Sequence, residues 1–446
     1  MGRESNKARD TRRRAVAEAR RERGGGAIVC EGIEVLRWAH GGDAVVVPEA
    51  GPLAGRIVFL ESAVPGEVVD IEVNEIKDRW GRGRILRVVE SSPERRSAEC
   101  PVQATCGGCP WMIGSAAAQA RSREAILRGE VRKVLGDEAV AAVAMAEPEP
   151  GGELGYRQRL RLGYAVGPHG VKLGFRSRRS HELIDVERCA VAAESLNAAL
   201  VGVREALRGQ GMGEVGRVTL LAGRDGVAGW IEPEHGAGFG FGRDEVELEL
   251  GSFRQVLGPR SFAQANAGVT GEILERLAAW GRGFATGAET GDGRRPHAVE
   301  LFAGSGTLTM ALWEAGFAVT AYEVDGRARA AFERTRAGRQ AVWHEADLEL
   351  GFPWPAPDTS AWGPVDVVVL DPPRTGARAL MPWVRASGAA AVAYLSCDLA
   401  TGLRDVAELT ASGGGPYVVE AIIGYDMFPH SGHQEVLVLL GRAPTR

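Results

Sequence analysis

Three short stretches carry groups able to do covalent chemistry: Val367-Val-Val-Leu-Asp-Pro-Pro-Arg374, Leu395-Ser-Cys-Asp398 and Asp426-Met-Phe-Pro-His-Ser-Gly-His-Gln-Glu-Val436. In each, polar groups stand at the end of an apolar, strand-like run, or near one. An open α/β sheet displays a nucleophile and a base around one ligand crevice in this way. Cys397 is the candidate nucleophile. A cysteine after a buried strand is commonly small apolar filler, but Cys397 stands at the strand's end beside Ser396 and Asp398. Glu435 is the candidate base. Asp371, before two prolines, is either a functional carboxylate or a turn cap. His430 and His433 lack an evident third metal ligand and read as structural hydrogen-bonding groups.

A second constellation is made of thiols. Cys100, Cys106 and Cys109 fall in one tight loop flanked by glycine and proline, and Cys189 is the candidate fourth ligand. Four thiolates suit zinc or an iron–sulfur cluster, and spacing alone does not choose between them. Cys30 reads as inert. The uneven cysteine spacing in a large chain argues against a disulfide framework and for a reducing, cytoplasmic compartment.

These groups need elements to hold them. The chain has 446 residues and a net charge of −5, so it has room for two or three cores, and nucleic-acid binding has to come from local patches. No apolar run approaches the ~18 residues of a membrane helix. Residues 1–26 form a basic tail expected to be disordered; residues 1–23 hold nine Lys/Arg against four Asp/Glu. Residues 27–92 alternate short strands with Gly/Pro turns, which predicts a five-stranded barrel of the OB type. Lys77, Arg79, Trp80, Arg82 and Arg84 give it a face suited to single-stranded nucleic acid. Residues 93–258 read as an α+β central domain. Its Tyr156–His181 stretch forms a hairpin bearing Arg157, Arg159, Arg161, Lys172, Arg176, Arg178 and Arg179, a good phosphate-backbone surface or, alternatively, a solvated face. Residues 190–257 show no readable motif. From residue 259 to 446 strands and helices alternate. Glu300-Leu-Phe-Ala-Gly-Ser-Gly-Thr307 is a strand end, a Gly-rich turn and a helix start, and Glu323 closes the next strand 19 residues beyond Gly304. The missing third glycine makes this a poor dinucleotide fingerprint and a better fit to S-adenosylmethionine.

Phe262-Ala-Gln-Ala-Asn266, Glu300-Leu-Phe-Ala-Gly-Ser-Gly-Thr307, Leu370-Asp-Pro-Pro-Arg-Thr-Gly376, Leu395-Ser-Cys-Asp398 and Met427-Phe-Pro-His-Ser-Gly-His-Gln-Glu435 occur in this order. Together they resemble the RNA 5-methyluridine methyltransferases, and the resemblance runs from about residue 28 onward. It implies an α/β class I (Rossmann-like) methyltransferase domain preceded by a TRAM-type barrel. It also implies S-adenosylmethionine as methyl donor, RNA as partner and a [4Fe-4S] cluster on Cys100, Cys106, Cys109 and Cys189. Cys397 matches the family's nucleophile and Glu435 its base. Gln264, Phe302, Thr307, Glu323, Asp347 and Asp371 match positions that contact the cofactor or the target base. The barrel and the four cysteines favour 23S ribosomal RNA as substrate, with the T-loop uridine of transfer RNA as the alternative. A monomer is the expected state.

Two rival readings exist. Asp-Pro-Pro also suits methylation of an exocyclic amine, but that leaves Cys397 and Glu435 without a task. An RNA-binding iron–sulfur protein without catalysis would have no need of that pair.

Overall fold

The computed structural model describes residues 27–147, 152–178, 180, 182–209, 211–285, 295–336, 338–352 and 364–444, so the basic tail, Arg179 and His181 lie outside the described residues. Two compact units result: residues 1–126 with His430–Gly432, and residues 127–429 with 433–446.

In the first unit, β1 (Ile28–Trp38), β2 (Ala44–Val46), β3 (Ile57–Leu60), β4 (Val68–Ile76) and β5 (Trp80–Glu90) close into a barrel in the order β1-β2-β3-β5-β4. Side chains alternate across a strand, so Val69, Ile71 and Val73 of β4 all point into the core. Trp38 and Trp111 stack with ring centroids 4.8 Å apart. Ser115 caps helix α1 (Ala116–Leu135) by accepting from the Ala118 N–H at 3.1 Å. The segment His430–Gly432 is built in here. The His430 N–H donates to Gln119 Oε1 at 2.9 Å, its carbonyl accepts from the Trp111 N–H at 2.9 Å, and its φ is +70°.

The second unit begins with β6 (Val143–Met145), β7 (Arg159–Gly167), β8 (Gly170–Arg176) and β9 (Leu183–Asp185), then α2 (Glu194–Arg208) and β10 (Val215–Gly223), β11 (Gly226–Pro233) and β12 (Phe239–Gly242). Six of these strands form an antiparallel sheet in the order β12-β11-β10-β7-β8-β9. Leu196, Leu200, Val203 and Leu207 recur every three or four residues on α2 and cover Leu160, Leu162 and Tyr164 of the sheet. The hairpin β13 (Val246–Leu250) and β14 (Phe253–Leu257) follows, with Leu248, Leu250 and Leu257 in the core of the larger sheet.

That larger sheet comes from α3 (Ala267–Ala285), β15 (His297–Leu301), α4 (Thr307–Glu314), β16 (Ala318–Glu323), α5 (Gly326–Arg336), β17 (Ala341–Glu345), β18 (Val367–Leu370), α6 (Met381–Ala386), β19 (Ala391–Ser396), α7 (Leu399–Leu409), β20 (Tyr417–Tyr425) and β21 (Glu435–Arg442). Its order is β17-β16-β15-β18-β19-β21-β20-β6. Strands β17 to β19 run parallel, and β21 is antiparallel to both its neighbours. Near-continuous Val, Ala and Leu fit strands buried on both faces. The chain leaves β15 first toward β16 and later returns beside it as β18. Ligands bind at the carboxyl ends of the strands at such a switch point.

Candidate active site

A cavity of about 760 Å³ opens at that switch point. It is lined by Gln264, Phe302, Thr307, Glu323, Asp347, Asp371, Cys397 and Glu435, all eight residues singled out as nucleophile, base or contacts. Phe302 to Gly304 follow β15, Glu323 ends β16, Asp371 follows β18 and Cys397 follows β19.

The register explains why Cys397 meets Glu435. Ser396 of β19 pairs with Val436 of β21, and Leu395 with Leu437. In an antiparallel ladder the next pair is Cys397 and Glu435. Glu435 is 2% exposed, and its Oε2 is buried with no hydrogen-bond partner among the described residues. Burial, then the Asp371 charge, hold its carboxyl well above the usual range, while Arg374 opposes them. The half-buried Cys397 thiol is pushed up to about 11 by burial, then by Glu435 and Asp371. Asp371 is raised to about 7, chiefly by burial; Gln264 Nε2 donates to its Oδ2 at 3.4 Å. All three groups thus favour their neutral forms, and each neighbouring carboxylate reinforces that preference.

The Gly-rich turn is built for close approach. Phe302 is held at φ +62°, an unusual backbone for a bulky residue. At Gly306 φ is +83°, and a Cβ would come within 2.7 Å of the Phe332 ring. Glu323 fixes the turn: its Oε2 accepts from the Gly304 N–H at 2.9 Å, and its Oε1 from the Val324 and Asp325 N–H groups at 2.8 Å. Asp347 is exposed and accepts from the Glu349 N–H at 3.1 Å.

The loop between Asp371 and Ala377 is clamped by α7. Asp398 caps that helix by accepting from the Thr401 N–H at 3.0 Å, and the Thr401 hydroxyl donates to the Arg374 carbonyl at 2.9 Å. Buried Asp405 accepts from the Ala377 N–H at 2.6 Å and from Tyr394 Oη at 2.8 Å, while Arg404 donates to it at 2.7 Å.

The basic and thiol groups are distributed as follows. Arg159 and Arg161 lie on β7, and Lys172 and Arg176 on β8, while Arg157 precedes β7, bridges Ala192 and Asn266, and lies over the Phe428 ring at 5.8 Å. On the barrel, Arg82 lies 5.5 Å from the Trp80 ring centroid, and Phe59 meets Trp80 edge-on at 6.1 Å. The barrel's cationic cluster is partly neutralised, because Lys77 pairs with Glu75, Arg82 with Asp43 and Arg84 with Glu72. Cys100, Cys106 and Cys109 are half-buried in the first unit; Cys189 belongs to the second, its N–H bonded to Asn197 Oδ1 at 2.9 Å. Among the described residues no group of three or more Cys, His, Asp or Glu side chains is arranged to hold a metal ion. The four thiols are donors of the right kind for an iron–sulfur cluster.

No family model matches the chain. It is 30% identical to the 23S rRNA (uracil(1939)-C(5))-methyltransferase RlmD of Chromohalobacter salexigens, across 97% of this chain and 95% of that protein. The chain belongs to the RNA uracil-C5-methyltransferase family. The enzyme of the same description from Cronobacter sakazakii is 29% identical, across 87% of this chain and 92% of its own length. The tRNA (uracil-54, C5)-methyltransferase of Pyrococcus abyssi, solved with S-adenosyl-L-homocysteine, shares the fold: TM-score 0.68, 20% identity, 92% of this chain and 99% of that one.

Two residues of this family member escaped the sequence reading. Glu300 lines the cavity, is 1% exposed and bonds to the Thr309 hydroxyl. Burial pushes its acid up to about 8; the Thr309 hydrogen bond opposes this, and Asp371 and Glu323 add to it. Buried Gln255 of β14 donates to the Ser305 carbonyl at 3.0 Å and accepts from the Thr307 hydroxyl at 3.1 Å, so it splints the Gly-rich turn. A polar residue next to valine inside a short strand was the one available signal for each.

Proposed function

We propose that this enzyme methylates C5 of a uridine in 23S ribosomal RNA through a covalent adduct with Cys397. The observation that carries the reading is that Cys397, one residue beyond the Ser396–Val436 pair, and the buried Glu435, whose Oε2 has no hydrogen-bond partner among the described residues, line one cavity. Phe302, Thr307, Glu323 and Asp347 fit the cofactor side, and Asp371 with Gln264 the edge of the base. S-adenosylmethionine, when bound, supplies an electrophilic methyl group. Uracil C5 is too weakly nucleophilic to take it unaided. As the Cys397 sulfur bonds to C6, the C5–C6 electron pair shifts toward O4 and makes C5 enolate-like. After C5 is alkylated, Glu435 removes its proton, the electron pair re-forms C5–C6 and the S–C6 bond breaks. Both residues favour their neutral forms in the free enzyme, so two protons pass to solvent: that of Cys397 as sulfur attacks, and that of Glu435 before it can take the proton from C5. Added positive charge nearby lowers both pKa values and helps both departures. A stacked base cannot reach the cavity, so the target uridine is flipped out.

Methyl transfer from labelled S-adenosylmethionine to separated ribosomal and transfer RNA, followed by nucleoside analysis, tests this. Label in 5-methyluridine of 23S RNA is the expected result. Label only in transfer RNA would keep the mechanism and replace the substrate. Label in a different nucleoside would remove Cys397 and Glu435 from the chemistry.

The proposal extends to Cys100, Cys106, Cys109 and Cys189 as ligands of a structural [4Fe-4S] cluster. The support is the donor chemistry and the family resemblance, and no catalytic step passes through it. Anaerobically purified protein should contain about four iron and four sulfide per chain, the content of such a cluster. Zinc alone would overturn this. No helix among the described residues is long and apolar enough to cross a membrane, and a cytoplasmic monomer is the proposed working form.

A further inference from the structure

The six-stranded sheet has α2 on one face. On the other, the register puts Arg161, Thr219, Trp230 and Gly240 in a single row across β7, β10, β11 and β12, with Gly163, Arg217 and Glu232 in the row beside it. Arg161, Arg217 and Gly240 are exposed and Trp230 is half-buried. Trp230 is held in place: a Cβ on Gly238 would lie 2.8 Å from its ring, and the Arg260 guanidinium lies over the ring, 4.6 Å from its centroid. Arg260 is itself exposed and directly precedes Ser261, which lines the active-site cavity. Its charge also reaches Asp325 on the cavity wall, whose carboxyl is held low by Arg327 first and Arg260 last. The face carries three arginines against Glu232, and it leads to the cavity.

We propose that this face binds the single-stranded RNA flanking the target uridine, with one base stacked on the Arg260–Trp230 pair and phosphates met by Arg161 and Arg217. A planar guanidinium braced by an indole offers a flat surface that any base can stack on, which suits a segment already unstacked by base flipping. Exposed arginines on a sheet face give the phosphate contacts that set position. This rests on the RNA-methylating reading of the cavity, so the test reads binding separately from turnover.

A fluorescein-labelled, uridine-containing single-stranded 12-mer RNA is titrated with the full-length protein, and Kd is read by anisotropy at several salt concentrations. Arg260→Ala and Trp230→Ala should each raise Kd about tenfold. Arg260→Lys should weaken binding nearly as much, because an ammonium keeps the charge and loses the plane. Trp230→Phe should restore most of the affinity, which separates stacking from misfolding. Arg161→Ala with Arg217→Ala should lower the slope of log Kd against log salt by about 2. S-adenosylmethionine affinity, read by calorimetry, should stay within twofold throughout. If Arg260→Ala binds the RNA as wild type does, or if wild type does not bind it, the surface assignment is overturned. A loss of binding in Arg260→Ala upholds the surface even if methyl transfer proves to be directed at another nucleoside.

Discussion

Glu300, Asp371 and Glu435 are acids placed where their neutral forms are favoured, and this has opposite consequences for stability and for catalysis. Glu300 titrates near 8 when folded, against an ordinary value of 4.5. The folded state therefore holds a proton that the unfolded chain gives up, and stability is lost as pH rises from about 4.5 through 8. Glu300→Gln keeps a neutral, hydrogen-bonding group, so its melting temperature should fall less than wild type between pH 5 and pH 9. Equal slopes in a thermal-melt series would show that Glu300 ionises freely. Cys397 carries a thiol pushed up to about 11, with Glu435 the second cause after burial. Iodoacetamide labelling of Cys397 should climb steadily above pH 9 without levelling off. In Glu435→Gln the rise should begin at lower pH; an unmoved profile would separate the two groups. None of this was visible in the sequence. Cys397 and Glu435 stood out because each adjoins an apolar run among polar neighbours, whereas Glu300 reads as one residue of a strand whose Thr309 partner lies on the following helix.

Helix α7 does more for the site than end the nucleophile's loop. Asp398 caps it, Thr401 ties it to Arg374, and Asp405 ties it to Ala377. Asp405→Ala would leave the buried Tyr394 Oη and Ala377 N–H without their acceptor, a loss on the order of 3 kcal/mol, to which the half-exposed Arg404 adds little. It should also lower kcat for methyl transfer at least tenfold, while the KM for S-adenosylmethionine changes less. A variant that is destabilised with unchanged kcat would reduce the clamp to a structural role. At this scale the legible elements were those in which an apolar run ends in a motif, and all of those strands formed where the pattern put them. The stretch 190–257 was not legible. Its sheet depends on β10 pairing with β7 across the intervening helix α2, and antiparallel pairing at a distance leaves no local signature. Gln255 was hidden there because its partners, Ser305 and Thr307, stand far along the chain.

For the whole molecule, a net charge of −5 coexists with an arginine-bearing sheet face, so average charge is a poor guide to what the surface attracts. The sheet that carries the cavity also draws on distant chain: β6, at residues 143–145, pairs with β20, and β13–β14 supplies core leucines. Residues 259–446 alone would leave β20 an open edge and uncover apolar surface. That fragment should be insoluble or melt without a cooperative transition, and a sharp melt in circular dichroism would refute this.

The pairing of β19 with β21 has a consequence for how such a chain can change over generations. Val436 to Leu440 are all buried and apolar, so hydrophobic patterning does little to forbid a slip of β21 by one residue. A single-residue deletion there would leave a core of nearly the same oiliness and a fold that still forms. With the rest of the strand in register, it would also set Gln434 opposite Cys397 and Glu435 opposite Ser396. Point replacements along this strand can drift freely, but its length is frozen, and a lineage that lost one codon there would keep the protein and lose the enzyme.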